Sequence, residues 1–151
     1  MFEMEGLGMA DEGRVRICVH GRQRDDVGAL HESRMTAVGR HDEKGGKHFF
    51  RYEDHALLEG HAVPTMLKLS PDGLLLLRRQ PLEQRLEFVP QEERASLYRT
   101  PYGAMHLAVR TKELFSACRA DGTGRIELVY DLFVEGRFQS SNELRIDITN
   151  A

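Results

Sequence analysis

The segment Arg125-Ile126-Glu127-Leu128-Val129-Tyr130-Asp131-Leu132-Phe133-Val134-Glu135 decides how this chain is read. Ile126, Leu128, Tyr130, Leu132 and Val134 recur at every second position, with Glu127, Val129, Asp131, Phe133 and Glu135 in the other phase. A strand sends successive side chains to opposite faces, so a period of two marks a half-buried strand and not a helix. Gly136 then supplies a turn, and Leu144, Ile146 and Ile148 resume the alternation with Arg145 and Asp147 facing away.

The same pattern extends upstream. Met105, Leu107 and Val109 alternate with His106, Ala108 and Arg110, and Val15, Ile17 and Val19 alternate with Arg16, Cys18 and His20. Phe49, Phe50 and Tyr52 are favourable strand residues. Two apolar runs, Pro64 to Leu69 and Leu74 to Arg79, flank Ser70-Pro71-Asp72-Gly73, a hairpin signal because proline and glycine punctuate the chain there. Leu86 and Phe88 continue before Pro90. Gly28 to Gly46 is polar and dotted with glycine, and reads as a loop or an irregular hairpin with a turn at Asp42–Gly46. Ala29–Ala37 and Thr111–Arg119 are the two stretches with helical character, and neither joins a long apolar stripe to good caps. About eight to ten short strands with regular turns favour a β-sandwich or an up-and-down barrel.

At 151 residues the chain fits one domain that needs no staples to bury a core. The division expected is a flexible N-terminal arm over residues 1–13 and a barrel domain over 14–151. A net charge of -3, from 21 basic and 24 acidic side chains, gives no global attraction to nucleic acid or to an anionic membrane. The longest apolar run, Leu74 to Leu77, is too short to cross a bilayer, and Met1 to Gly13 lacks the positive region and apolar run of a secretory signal. A cytoplasmic, bacterial-type soluble protein is the expectation. Cys18 and Cys118 each sit in an apolar stretch and read as small buried hydrophobes; a disulfide between them is open on spacing alone.

Tyr98-Arg99-Thr100-Pro101-Tyr102-Gly103, then Thr111, Tyr130-Asp131-Leu132, and Asn142 with Leu144 and Ile146, form an ordered set. Upstream marks are Tyr52-Glu53, Thr65 with Leu67 and Leu69, Arg78 and Phe88. Together these resemble the YwiB-like family of uncharacterised bacterial proteins, over about Val15 to Ile148. The chain departs from the family pattern after Arg78, where Gln80 and Pro81 stand in place of a glycine. The resemblance implies a calycin-like, that is lipocalin-like, closed antiparallel barrel. It implies no activity.

The residues that could carry chemistry follow from that architecture. Arg78 and Arg79 are adjacent, so on a closed barrel one faces the interior, where a guanidinium can anchor a carboxylate or phosphate. A structural ion pair and a strand end that has already left the barrel are the alternatives, and together they outweigh the anchor. Tyr52 on an inward phase leaves Glu53 facing solvent; an inward Glu53 would need a partner such as Arg78. The Thr100–Gly103 segment reads first as a turn, with Gly103 at positive φ, and second as a place to hang the Tyr98 or Tyr102 hydroxyl at a barrel mouth. Four of seven histidines fall between His41 and His61, but spacings of seven, seven and six suit no metal motif, and solvent exposure is their expected state. No nucleophile elbow and no phosphate-binding glycine loop appear.

The first functional reading is a barrel holding a small, partly apolar ligand, with an anionic group as the further expectation. Arg78 or Arg110 would hold the anion, and Tyr52, Tyr98, Tyr102 and Tyr130 would line or rim the cavity. The alternative is a non-catalytic protein–protein interaction scaffold. A hydrolase or lyase built on Glu53, a histidine and an arginine ranks third. No catalytic residue, metal or cofactor is assigned; the partners expected are a small-molecule ligand, no nucleic acid and no membrane, with the chain a monomer or homodimer.

Overall fold

The computed structural model describes residues 12–151, and the arm expected over residues 1–13 lies almost wholly outside them. Ten antiparallel strands follow one another: β1 (Arg14–Asp25), β2 (Leu30–Lys44), β3 (Lys47–Leu58), β4 (His61–Ser70), β5 (Gly73–Arg78), β6 (Gln84–Phe88), β7 (Glu93–Thr100), β8 (Gly103–Cys118), β9 (Gly124–Val134) and β10 (Arg137–Asn150). Every ladder joins strands adjacent in sequence except one, in which β10 returns to lie along β1 from Val15↔Asn150 to Asp25↔Ser140. The sheet therefore curls on itself, and its two edges, β6 and β7, meet at the single bridge Glu83↔Arg99. The fold is an up-and-down barrel, closed along all but this seam.

The alternations place the core. Val15 and Ile17 on β1, Phe50 on β3, Leu67 and Leu69 on β4, and Leu74 and Leu76 on β5 point inward. Leu86, Phe88, Leu107, Val109, Ile126, Leu128, Ile146 and Ile148 meet them from the remaining wall. Each such side chain withdrawn from water contributes roughly 1.5–3 kcal/mol, so this aliphatic filling dominates the stability of the barrel. Much of the interior is thus packed.

Two expectations are corrected, and the open question of the cysteines is answered. Gly28–Gly46 is no loop: after a turn at Asp26–Ala29 the chain runs as the fifteen-residue strand β2. Its inward positions are Met35, Ala37, Gly39 and His41, too small or too polar to print an apolar alternation. The helical character of Ala29–Ala37 is that same strand, and that of Thr111–Arg119 belongs to β8. There a bulge between Thr111 and Glu113 shifts the register, so inward residues fall at Thr111 and Leu114, a spacing of three that imitates a helix. Cys18 and Cys118 are free thiols, both partly buried, and burial pushes the Cys118 thiol up.

The Thr100–Gly103 segment is the turn between β7 and β8. Gly103 takes φ 135°, closed to most side chains, and the Tyr102 amide donates to Thr100 Oγ1 at 3.1 Å.

Candidate functional site

At one end of the barrel the inward row changes from apolar to polar. Register places Tyr52 opposite Thr65, and Arg78 opposite Gln84, so strands β3 to β6 bring these four side chains to one level. Arg78 is the inward member of the arginine pair, 7% exposed, and Arg79 faces out. The Arg78 guanidinium donates from Nε to Thr65 Oγ1 at 3.0 Å, from Nη1 to Gln84 Oε1 at 2.6 Å, and from Nη2 to Asp54 Oδ2 at 2.8 Å. Asp54 Oδ1 in turn accepts the amides of Ala56 and Leu57 at 2.8 and 3.1 Å.

Buried charge is tolerated only when paired and hydrogen-bonded, and this pair is both. The partner is Asp54, two residues beyond Tyr52 on the same face, whereas Glu53 is exposed as its phase requires. Sequence reasoning weighed Glu53 and missed Asp54, although the inward phase of Phe50 and Tyr52 points straight to it. The carboxylate balances Arg78, so this guanidinium is a structural clamp across four strands before it is an anion anchor.

Two tyrosines sense the same charge. Burial pushes the Tyr52 phenol up to about 12, with Arg78 opposing the shift and Asp54 adding to it. Burial likewise pushes Tyr130 up to about 12, again opposed by Arg78. The Tyr130 ring leans on Phe88 with centroids 4.8 Å apart. Tyr98 packs half-buried against the core. Thr111, 1% exposed and paired in register with Tyr130, carries a hydroxyl with no hydrogen-bond partner among the described residues. Tyr52, Arg78, Tyr98 and Tyr130 are therefore all interior, while the other two expected site residues lie outside. Tyr102 is 99% exposed at its turn, and Arg110 binds Glu93 at 2.9 Å on the outer face, 5.3 Å over the Phe133 ring.

The wall beside Tyr52 is open. The β2–β3 ladder runs only from Lys44↔Lys47 to Arg40↔Arg51; beyond it the two strands part, β2 continuing on β1 and β3 on β4. Gly39 sits at the fork, where a Cβ would collide with the Arg51 carbonyl oxygen and stand 2.9 Å from Tyr52 Cβ. The divergence leaves a cleft of about 840 Å³, bordered by Ala37 and Val38 of β2, by Tyr52 and His55 of β3, and by Thr65 and Met66 of β4. Arg40, Arg51 and Arg79 stand around it with Glu53. Tyr52 and Thr65 belong both to this cleft and to the interior polar row. Tyr130 and Asn142 border a separate, smaller hollow of about 190 Å³ with Gly21 and Gln23.

His31, His55, His61 and His106 are exposed as expected, whereas His41 is buried and His20 and His48 are half-buried. His41 and His48 are strand residues at the opposite end of the barrel, joined Nε2 to Nδ1 at 2.8 Å, and His41 is 8% exposed. Burial, then the neighbouring His48, pulls the His41 imidazole below its ordinary range. Among the described residues no three histidine, cysteine or acidic side chains gather as a metal site, and no helix is long and apolar enough to cross a membrane.

A next-neighbour antiparallel barrel with a packed body and an opening in its wall places the molecule among up-and-down β-barrels. The chain belongs to the family described as Domain of unknown function (DUF1934), whose model matches residues 17–146. It is similar to the ywiB protein from Bacillus subtilis, known from a crystal structure, at 21% identity over 92% of each chain and with a TM-score of 0.82. At that identity the likeness speaks for the fold alone. It agrees with the resemblance read from Tyr98–Gly103 and its companions. No curated protein matches the chain.

Proposed function

We propose that the chain is a small-ligand-binding barrel whose site is the cleft between β2 and β3, based on Tyr52 and Thr65. The observation that carries this reading is the ending of the β2–β3 ladder at Arg40↔Arg51, which opens about 840 Å³ at the place where the inward row turns polar. That volume lies in the range of cavities that take drug-sized molecules. The Arg78–Asp54 clamp would hold the floor of the site rigid, since its bonds tie β3, β4, β5 and β6 together. Rigid support is what a recognition surface requires to keep its geometry. The reading differs from a ligand enclosed in the lumen, which the aliphatic packing leaves little room for.

Native mass spectrometry of the purified protein tests it, together with Val38→Trp, which fills the cleft from a position 46% exposed and so spares the core. A small molecule retained by the parent chain and lost from Val38→Trp is the expected result. Equal retention in both removes the cleft as the site. No retained molecule, and no thermal stabilisation by any member of a small-ligand panel, overturns the reading itself.

A further inference from the structure

Resting on the cleft as the binding site, we infer that its ligand is an amphiphile bearing one oxyanion, with the anion held by Arg51 and Arg79 and the apolar body laid on Val38, Pro64, Met66 and Leu77. The chain carries a net charge of -3, yet the side chains bordering the cleft include three arginines and a single acid, Glu53. This local reversal of sign is where an anion is drawn.

The arginines are placed by strand register and not by chance of rotamer. Arg14 lies directly opposite Arg40, and Arg40 directly opposite Arg51, a row of like charges across β1, β2 and β3. Like charges directly opposite in a sheet are unfavourable. Arg40 is tied to the Glu12 carbonyl at 3.1 Å, so the inference is placed on the other two cleft arginines. Arg51 approaches Asp42 no closer than 3.9 Å, an exposed contact that contributes little. Arg79 faces outward from the end of the row, beyond the close of β5.

Between the charges the outward face is apolar. Arg51 pairs with Met66, and Met66 with Leu77; Glu53 pairs with Pro64. Val38, opposite Arg16, is among the exposed large hydrophobics. An oxyanion with hydrogen-bonding capacity for the planar guanidinium fork satisfies the first feature, and a hydrocarbon or ring system satisfies the second. A single nucleic-acid strand fits less well, because stacking needs several exposed aromatic faces among the basic side chains, and of the two rings bordering the cleft Tyr52 points inward and His55 alone is exposed.

Isothermal titration with decanoate, decanol and inorganic phosphate tests the inference on the full chain. Decanoate is expected to bind, with decanol and phosphate each at least about tenfold weaker, the ratio of one charge-assisted hydrogen bond or of a short buried alkyl segment. Arg51→Glu and Arg79→Glu, both surface changes, should each weaken decanoate by about tenfold or more and leave decanol unchanged. Decanol binding as tightly as decanoate, or indifference of decanoate to both variants, overturns the anion; phosphate binding as tightly as decanoate overturns the apolar body. In each of those cases continued sensitivity to Val38→Trp keeps the cleft itself standing. Failure of every probe to bind sinks this inference, while a small molecule retained by the parent chain and lost from Val38→Trp leaves the cleft standing as the binding site.

Discussion

Asp54 shows most clearly what one side chain does for this molecule. It neutralises a guanidinium that is almost fully withdrawn from water, and its other oxygen holds the amides of Ala56 and Leu57 where β3 ends. Asp54→Asn keeps the shape and the Oδ1 acceptor but removes the charge, which leaves Arg78 buried against a neutral partner. Loss of one member of a buried pair costs about 3–5 kcal/mol, so urea unfolding should show a fall of that order. The double change Asp54→Asn with Arg78→Met removes the stranded charge and should recover much of the loss. A single-variant fall below about 1 kcal/mol would show that the pair is hydrated and of little consequence. The sequence held half of this. Adjacent arginines must split between faces, which makes one inward; the identity of the acid depended on phase, and Asp54 follows from Phe50 and Tyr52 once the strand is extended two residues.

At the scale of elements, the end opposite the cleft is closed by the β8–β9 hairpin, which rests on His41 of β2. Gly122, at φ 86°, lies so close that a Cβ there would stand 2.9 Å from His41 Nδ1 and nearer still to the ring carbons. The ring below it packs tilted against Phe50, centroids 5.1 Å apart, and bonds His48. The groups that face His41 are His48, which lowers its affinity for a proton after burial has done so, and Asp42, Glu43 and Asp121, which raise it less. Because the folded imidazole titrates below the unfolded value near 6.5, the unfolded chain takes up the proton first as pH falls. Stability from this site is therefore complete above about pH 6.5 and lost as pH drops through the folded value. A melting temperature that declines between pH 7 and 5, with a flatter decline in His41→Phe, is the expected outcome; equal slopes would remove His41 from the account. Asp25 and Asp121, held below the carboxylate range by hydrogen bonds from His31 and Thr123 respectively, lose their contribution only at lower pH. Gly122→Ala should lower stability by roughly 1–3 kcal/mol through backbone strain and displacement of the ring. None of this was legible from spacing, since histidines seven apart on neighbouring strands meet only through the Gly45-Gly46 hairpin that joins β2 to β3. The bulge in β8 was hidden for a related reason: local periodicity assumes an unbroken register.

For the whole molecule, the weakness of the barrel is set by its topology. Nine of the ten junctions around the wall are laddered, and the tenth, between β6 and β7, rests on the reciprocal backbone bonds of Glu83 and Arg99, both 2.8 Å. Side chains still close the gap, because Leu86 and Phe88 of β6 share the core cluster with Leu107 and Val109 of β8. A seam held by packing without a ladder opens at lower free energy than a strand pair that must break a row of hydrogen bonds. Native-state hydrogen exchange should therefore find the seam-facing amides of Gln84–Phe88 and Arg94–Tyr98 exchanging through local opening. Those linking β1 to β10, and β8 to β9, should exchange only with global unfolding, as their long registers demand. Equal protection on both sides of the barrel would mean that side-chain packing alone makes the seam as strong as a ladder. The contrast also bears on the cleft, whose β2–β3 fork lies on the far side of β4 and β5 from the seam. A ligand bound at Tyr52 and Thr65 should leave seam exchange nearly unchanged while slowing the amides that flank the β2–β3 fork. If instead ligand protected the seam first, entry through β6 and β7 into the lumen would replace entry through the wall.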